Sequence, residues 1–324
     1  MSVPPEGPAG QGPTEPTDPI DPPAAVPQDG YGPPSPFVGY VYTPPPAGGY
    51  PPDPLISPDF AGWWQRGVLV VRRSWRQLVI LQLILGGFTL AAQGAAAIMQ
   101  SLALRDLDGF SDTEIPPLGT MLGASAVGFV ATVAALLMST LVTLAAVRVV
   151  VVTATGGQPS VADALRGAIR RLFPMVGWSL LAGLIIIAGI CACILPGLYF
   201  WAVFTVLAPV VAFERGGAIG RCFNLFHSDL GRSLARIATI VGILFAGTMV
   251  AAVVAVAGDV VADPLTASTP ALVTAALVST AVSVVVTGVL RVLTDPLTVG
   301  AYADMRARLE PLSSAALANE INMR

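Results

Sequence analysis

The sequence predicts an all-α protein, a polytopic membrane bundle of about six transmembrane helices behind a disordered, proline-rich head. Three observations predict it. Hydrophobic residues make up 54% of the chain and charged residues only 11%, whereas a soluble domain carries about 25% charged residues. The apolar residues gather into six long stretches, each near the roughly twenty residues that a bilayer core requires. All but one of the arginines fall on one side of those stretches.

Residues 1 to about 60 form the head. Nineteen of the 29 prolines lie between Pro4 and Pro58, with seven acidic residues and no basic one. Such a segment buries too little apolar surface to offset its ordering entropy. It is expected to be disordered, with polyproline II character. Tyr31, Tyr40, Tyr42 and Tyr50 are spaced through it. The composition suits either an inert acidic spacer or a docking tail for a cytoplasmic or membrane protein. No arginine flanks the Pro33–Pro36 spacing, which argues against a specific proline-motif ligand.

The spans are expected at about 78–102, 118–147, 175–195, 198–213, 234–257 and 271–290. The fourth is the weakest. Its length of about 16 residues reaches roughly 24 Å, short of a core of roughly 30 Å, and it contains Pro209. A tight turn at Leu195-Pro196-Gly197 joins it to span 3. The pair forms either a full hairpin or a shallow re-entrant one.

Arginine counting sets the orientation. Sixteen of the 17 arginines lie before span 1, between spans 2 and 3, between spans 4 and 5, or after span 6; only Arg105 lies opposite. Both termini are therefore expected in the cytoplasm of a bacterial cell carrying the protein in its inner membrane. No basic n-region or early apolar run marks a signal peptide. The expected domains are the head at 1–60, the membrane domain at 61–310 and a short cytoplasmic tail at 311–324.

A short basic amphipathic helix is expected before each odd span. Trp64, Val68, Val71 and Trp75 share a face before span 1, with Arg66, Arg72, Arg73 and Arg76 around them. Val161, Leu165, Ile169 and Leu172 recur before span 3, with Arg166, Arg170 and Arg171, Ser160 as N-cap and Pro174 as terminator. Ile219, Phe223, Phe226 and Leu230 recur before span 5, near Arg221, Arg232 and Arg236. Such helices lie in the headgroup plane and favour anionic lipid of the cytoplasmic leaflet. The alternative is that these are ordinary positive-inside loops.

The chain offers little chemistry. His227 is the sole histidine, and Cys191 and Cys193 point about 200° apart on a helix, so neither a metal site nor a cofactor is expected. There is no Gly-rich phosphate loop and no GxSxG. A net charge of −3 does not suit a nucleic-acid partner. The spans hold no ionisable group at mid-depth, where transporters usually carry one; Gln82 and Gln93 are the most polar side chains there. Glu214 with Arg215, and Arg291 with Asp295, are expected as structural ion pairs.

Four segments carry a resemblance: Ala-Leu-Arg-Gly-Ala at 164–168, Leu-Pro-Gly-Leu-Tyr-Phe-Trp at 195–201, Ala-Pro-Val-Val-Ala-Phe-Glu-Arg-Gly at 208–216, and the tail residues Tyr302, Asp304, Arg306, Arg308 and Glu310. Together they resemble the actinobacterial glycerophosphoryl diester phosphodiesterase membrane-domain proteins, whose tail reads approximately Y-x-D-x-R-x-R-x-E. The proline-rich head is similar to that of mycobacterial proline- and glycine-rich transmembrane proteins. The resemblance implies structural roles for Pro196, Gly197, Glu214, Arg215, Tyr302, Asp304, Arg306 and Arg308. The catalytic barrel of the fused enzymes needs a histidine pair that this chain lacks, so no catalytic residue carries over. The function expected is a non-enzymatic adaptor or envelope scaffold. The alternatives are a lipid-handling or small-solute carrier with a path between hairpins, and an accessory domain for phosphodiester or lipid metabolism.

Overall fold

The computed structural model describes residues 53–108, 118–261 and 269–322. Residues 1–52, most of the expected head, lie outside them. Among the described residues the chain forms nine helices and no strand: α1 (Phe60–Asp108), α2 (Leu118–Ala154), α3 (Val161–Ala192), α4 (Ile194–Phe204), α5 (Leu207–Phe213), α6 (Ala218–His227), α7 (Leu230–Val261), α8 (Thr269–Leu309) and α9 (Ser314–Asn322). Six stretches are long and apolar enough to cross a membrane: Phe60–Met99, Ser125–Ala154, Val161–Ala192, Ile194–Phe213, Leu230–Val254 and Val273–Leu309. Their outward faces carry Leu83, Phe129, Leu184, Val253 and Val285, each more than 60% exposed. An apolar exterior of this extent suits hydrocarbon and not water. This is a multi-pass helical membrane architecture.

Two of the expected amphipathic helices are not separate elements. The first is the start of α1, which runs unbroken for 49 residues. Its buried stripe is Trp63, Gly67, Val70, Ser74, Leu78 and Leu81, and not Trp64, Val68, Val71 and Trp75; Trp75 is exposed. The reason is packing on α8. The Trp63 indole N–H donates to the Leu297 carbonyl at 3.2 Å, and Gly67 lies flush against the Leu297 side chain. The second is the start of α3, whose Ser160 caps it by accepting from the Asp163 N–H at 3.5 Å. Pro174 lies inside α3 and does not end it. A proline forfeits one backbone bond, and a helix supported by neighbours survives that loss. Here the inward residues are Ala164, Ala168 and Met175, while Ile169 is exposed. Only the third unit, α6, is a distinct short helix; it buries Ala218, Cys222, Leu225 and Phe226.

The span 3 to span 4 turn also moves. The chain reverses at Cys193, in extended conformation, while Pro196 and Gly197 sit in the first turn of α4. Proline is tolerated there because its missing N–H has no helical acceptor. Gly189 and Gly197 let the two backbones close: a Cβ on Gly197 would come within 2.9 Å of the Ile190 N. Span 4 itself is broken. α4 ends at Phe204 and α5 begins at Leu207, because Pro209 has no N–H to return to the Thr205 carbonyl. The Thr205 hydroxyl bonds back to the Trp201 carbonyl at 3.1 Å. α5 is almost wholly buried, packed by α2, α3, α6, α8 and α9. α1 packs on α2 and α8, α7 on α8, α2 on α3, and α3 on α4.

Residues 53–59 form a strap on the core. Asp53 accepts from the backbone N–H groups of Leu55, Ile56 and Ser314, and the Ser57 N–H donates to Asp304 at 3.3 Å. At the other end α9 folds back as part of the core, burying Leu317 and Ile321.

Candidate functional site

At the arginine-rich end the expected headgroup contacts divide into two groups. Arg72, Arg73 and Arg76 are exposed on α1. Arg166 is exposed and pairs with Asp163 at 2.9 Å. Arg170 is exposed and Arg171 half-buried. Arg232 faces outward beside Asp229 at 3.4 Å. Arg221 and Arg236 are different. Arg236 is 1% exposed, so it reaches no lipid. It pairs with Asp304 and donates to the carbonyls of Ser57 and Asp59 at 3.0 and 3.1 Å. Arg221 pairs with Glu214 at 2.6 Å and also with Glu310. A desolvated guanidinium needs anionic partners, and each of these has found them inside the protein.

The tail motif explains itself on the helix. Tyr302, Arg306 and Glu310 recur at four-residue spacing, and Asp304 and Arg308 do so on the other side, about 200° round the helix. Tyr302 donates to Glu214 at 3.0 Å; Arg306 pairs with Glu310 at 3.1 Å and Glu320 at 3.0 Å. That row latches α6 and α9 to α8. Arg308 pairs with Asp304 at 2.6 Å and with Asp229 at 3.3 Å, which ties the start of α7 and the strap. Burial would lower the Arg221 guanidinium, but Glu214 and Glu310 outweigh it and hold its pKa above the ordinary value. Burial likewise would raise Glu310; hydrogen bonds from Arg221 and Arg306 outweigh it and hold Glu310 low. Glu214 pairs with Arg221 and not with Arg215, which is exposed. The row is structural, and Pro196 and Gly197 serve the α3–α4 hairpin.

The second expected pair is also absent. No ion pair joins Arg291 to Asp295 among the described residues. Arg291 reaches across to α2 instead and donates to the Thr143 hydroxyl at 2.9 Å. Arg291 is thereby held between two cavities. The larger, about 400 Å³, lies among α1, α2 and α8 and is lined by Gln82, Thr89, Thr132, Ser139, Thr280, Ser283, Thr287 and Arg291, with Leu85, Leu136 and Val284. The smaller, about 210 Å³, is lined by Thr143, Trp201, Thr205, Pro209, Thr287, Arg291, Thr294, Asp295 and Thr298. The broken α4–α5 helix and Pro296, inside α8, both border this region. Irregular backbone at membrane depth is tolerated where it lines a cavity or lies buried in protein.

Arg291 lies 18 residues after Val273 and 18 before Leu309, the ends of the apolar stretch. The larger cavity runs from Arg291 past Thr287 and Ser283 to Thr280. Gln82, 8% exposed, lines it, and its Nε2 has no hydrogen-bond partner. Chemically the chamber presents a fixed cation and unspent donors. Among the described residues no cluster of three or more metal-ligating side chains occurs. Sequence reasoning missed this chamber. The signal available was the recurrence of Thr280, Ser283 and Thr287 at three- and four-residue spacing on α8, leading to Arg291. No protein-family model, no curated protein and no solved structure matches the chain.

Proposed function

We propose that this is a non-enzymatic protein of the bacterial inner membrane, both termini cytoplasmic, whose helical core handles a lipid or small solute through the chamber at Arg291. The observation that carries the reading is a partly open cavity among α1, α2 and α8, largely apolar but lined also by Gln82 and a set of serines and threonines, with the Arg291 cation at one end, inside a bundle with an apolar exterior. Polar groups within membrane-spanning helices are costly and mark substrate pathways. The helix interruption at Thr205–Val206 supports it, since discontinuous helices commonly build carrier sites. The arginine bias supports the orientation. Reconstituted into liposomes, the full chain should accelerate exchange of labelled lipid between leaflets or vesicles, or flux of a small anion. Rates equal to protein-free liposomes in every assay would overturn the reading.

The adaptor reading keeps one specific support. Arg72, Arg73 and Arg76 stand exposed beside Trp75 on α1, the helix that follows the proline-rich head in the chain. Under that reading partners are captured by residues 1–52, and a chain lacking them loses those partners while retaining lipid handling. Kinship with the phosphodiesterase membrane-domain proteins, and an accessory role in lipid metabolism, are further proposals, drawn from the segments at 164–168, 195–201, 208–216 and 302–310. The motif that suggests them has a structural explanation in the latches.

A further inference from the structure

Resting on the carrier reading, we propose that the larger chamber binds the anionic headgroup of a membrane lipid. Its phosphate sits against Arg291 and Gln82, and its acyl chain lies in the groove between α1 and α8. Charge comes first. Arg291 is the one ionisable side chain lining the larger cavity; Asp295 lines only the smaller one. Arg291 spends one donor on Thr143 and makes no ion pair among the described residues. A guanidinium has five N–H donors and accepts nothing.

Gln82 adds a second, independent pointer. It is over nine-tenths buried, and its amide nitrogen lacks a partner. An unpaired buried donor is costly, and a ligand oxygen removes that cost. Many hydroxyls near the chamber are already committed to their own helices: Thr132 to the Gly128 carbonyl at 2.9 Å and Thr140 to the Leu136 carbonyl at 2.8 Å. In the larger cavity the unmet demand is therefore for an acceptor beside Arg291, whose charge also acts on the buried Asp295 carboxylate across the smaller cavity, where Oδ2 lacks a partner.

The lipid tail is argued from the neighbouring space. An apolar groove of about 390 Å³ shares Gln82, Gly86, Val284 and Gly288 with the chamber, and is otherwise walled by Leu83, Leu90, Val285 and Val289 among others. A free phosphate has no use for such a groove and would have to shed its hydration for a single cation. Cavities of this size are ordinary for amphiphilic ligands. Gly87 opens on the same groove, and a Cβ there meets nothing within 4 Å. The tail space can therefore be filled without disturbing the helices.

The test is lipid retention by the full chain, purified from nanodiscs of equal phosphatidylglycerol and phosphatidylcholine, with inorganic phosphate as competitor. The expected result is phosphatidylglycerol enriched on the protein. Arg291→Gln should lose about tenfold of that enrichment, the loss of one charge-assisted hydrogen bond, and Arg291→Lys should restore part of it. Gln82→Leu and Gly87→Leu should each reduce it in chains that elute and melt as the parent does. Equal retention of both lipids, or displacement by millimolar phosphate regardless of the groove variant, would overturn the proposal. Lipid exchange persisting without headgroup preference would sink this inference and leave the carrier reading standing.

Discussion

At the scale of single residues, the decisive feature is where each arginine finds its counter-charge. Arg236 and Asp304 are both almost inaccessible. Removing one partner strands the other: Arg236→Leu should destabilise the protein by about 3–5 kcal/mol, the usual cost of breaking a buried pair. The double variant Arg236→Leu with Asp304→Leu should recover part of that loss and no more, because Arg308 and the Ser57 N–H also lose Asp304; thermal unfolding in detergent checks this. Cys222 offers a second test. Burial first, and then the Glu214 carboxylate, push its thiol up to about 12. Its thiolate is the reactive form, so Cys222 should resist maleimide at neutral pH until the protein is unfolded, which mass spectrometry would read. Counting along the sequence assigns all these arginines to one side of the membrane. It could not separate Arg236 from Arg72, because burial depends on Asp304 and the strap, both remote in the chain. The Arg291–Asp295 spacing suited a helical pair, yet the partner chosen was Thr143 on another helix.

Elements were legible where local rules suffice. The Ser160 cap, the apolar runs and the breaker at Gly156 (φ 85°) follow from neighbouring residues. Continuity through Pro174 and the inward face of α1 do not, since neighbouring helices decide both. The α3–α4 hairpin rests on two glycines, and a Cβ at Gly197 would press on Ile190 backbone, which cannot swing aside as a side chain can. Gly197→Ala should therefore cost roughly 1–3 kcal/mol by overpacking, while Gly183→Ala, with nothing within 4 Å, should be near neutral. The latch on α8 has a pH signature. Glu310 titrates below its ordinary 4.5 in the fold. A depressed carboxylate contributes stability above that ordinary value and loses it as pH falls through the lower folded one. Hydrogen exchange at the end of α8 and in α9 should accelerate as pH falls below about 4.5, and be flat in acid for Glu310→Gln.

For the whole molecule, the membrane class was legible because bilayer thickness writes itself into run length and composition. The chamber was not, because it is made by three helices whose polar residues are individually unremarkable Ser, Thr and Gln. The strap and α9 were not legible for a related reason: Asp53 and Glu320 have meaning only against partners brought to them by the fold. Removing residues 1–52 should leave the melting temperature unchanged, whereas removing 1–60 should lower it by stripping the Asp53, Ser57 and Asp59 contacts.

The most direct test of a wet, lipid-occupied chamber is the accessibility of single cysteines at its wall. Ser283→Cys and Thr132→Cys would be placed in a chain whose three native cysteines are replaced. In phosphatidylcholine nanodiscs both should react with a small water-soluble methanethiosulfonate, and phosphatidylglycerol should slow that reaction. Cysteines as inert at both sites as one at outward-facing Val253, in either lipid, would contradict the account.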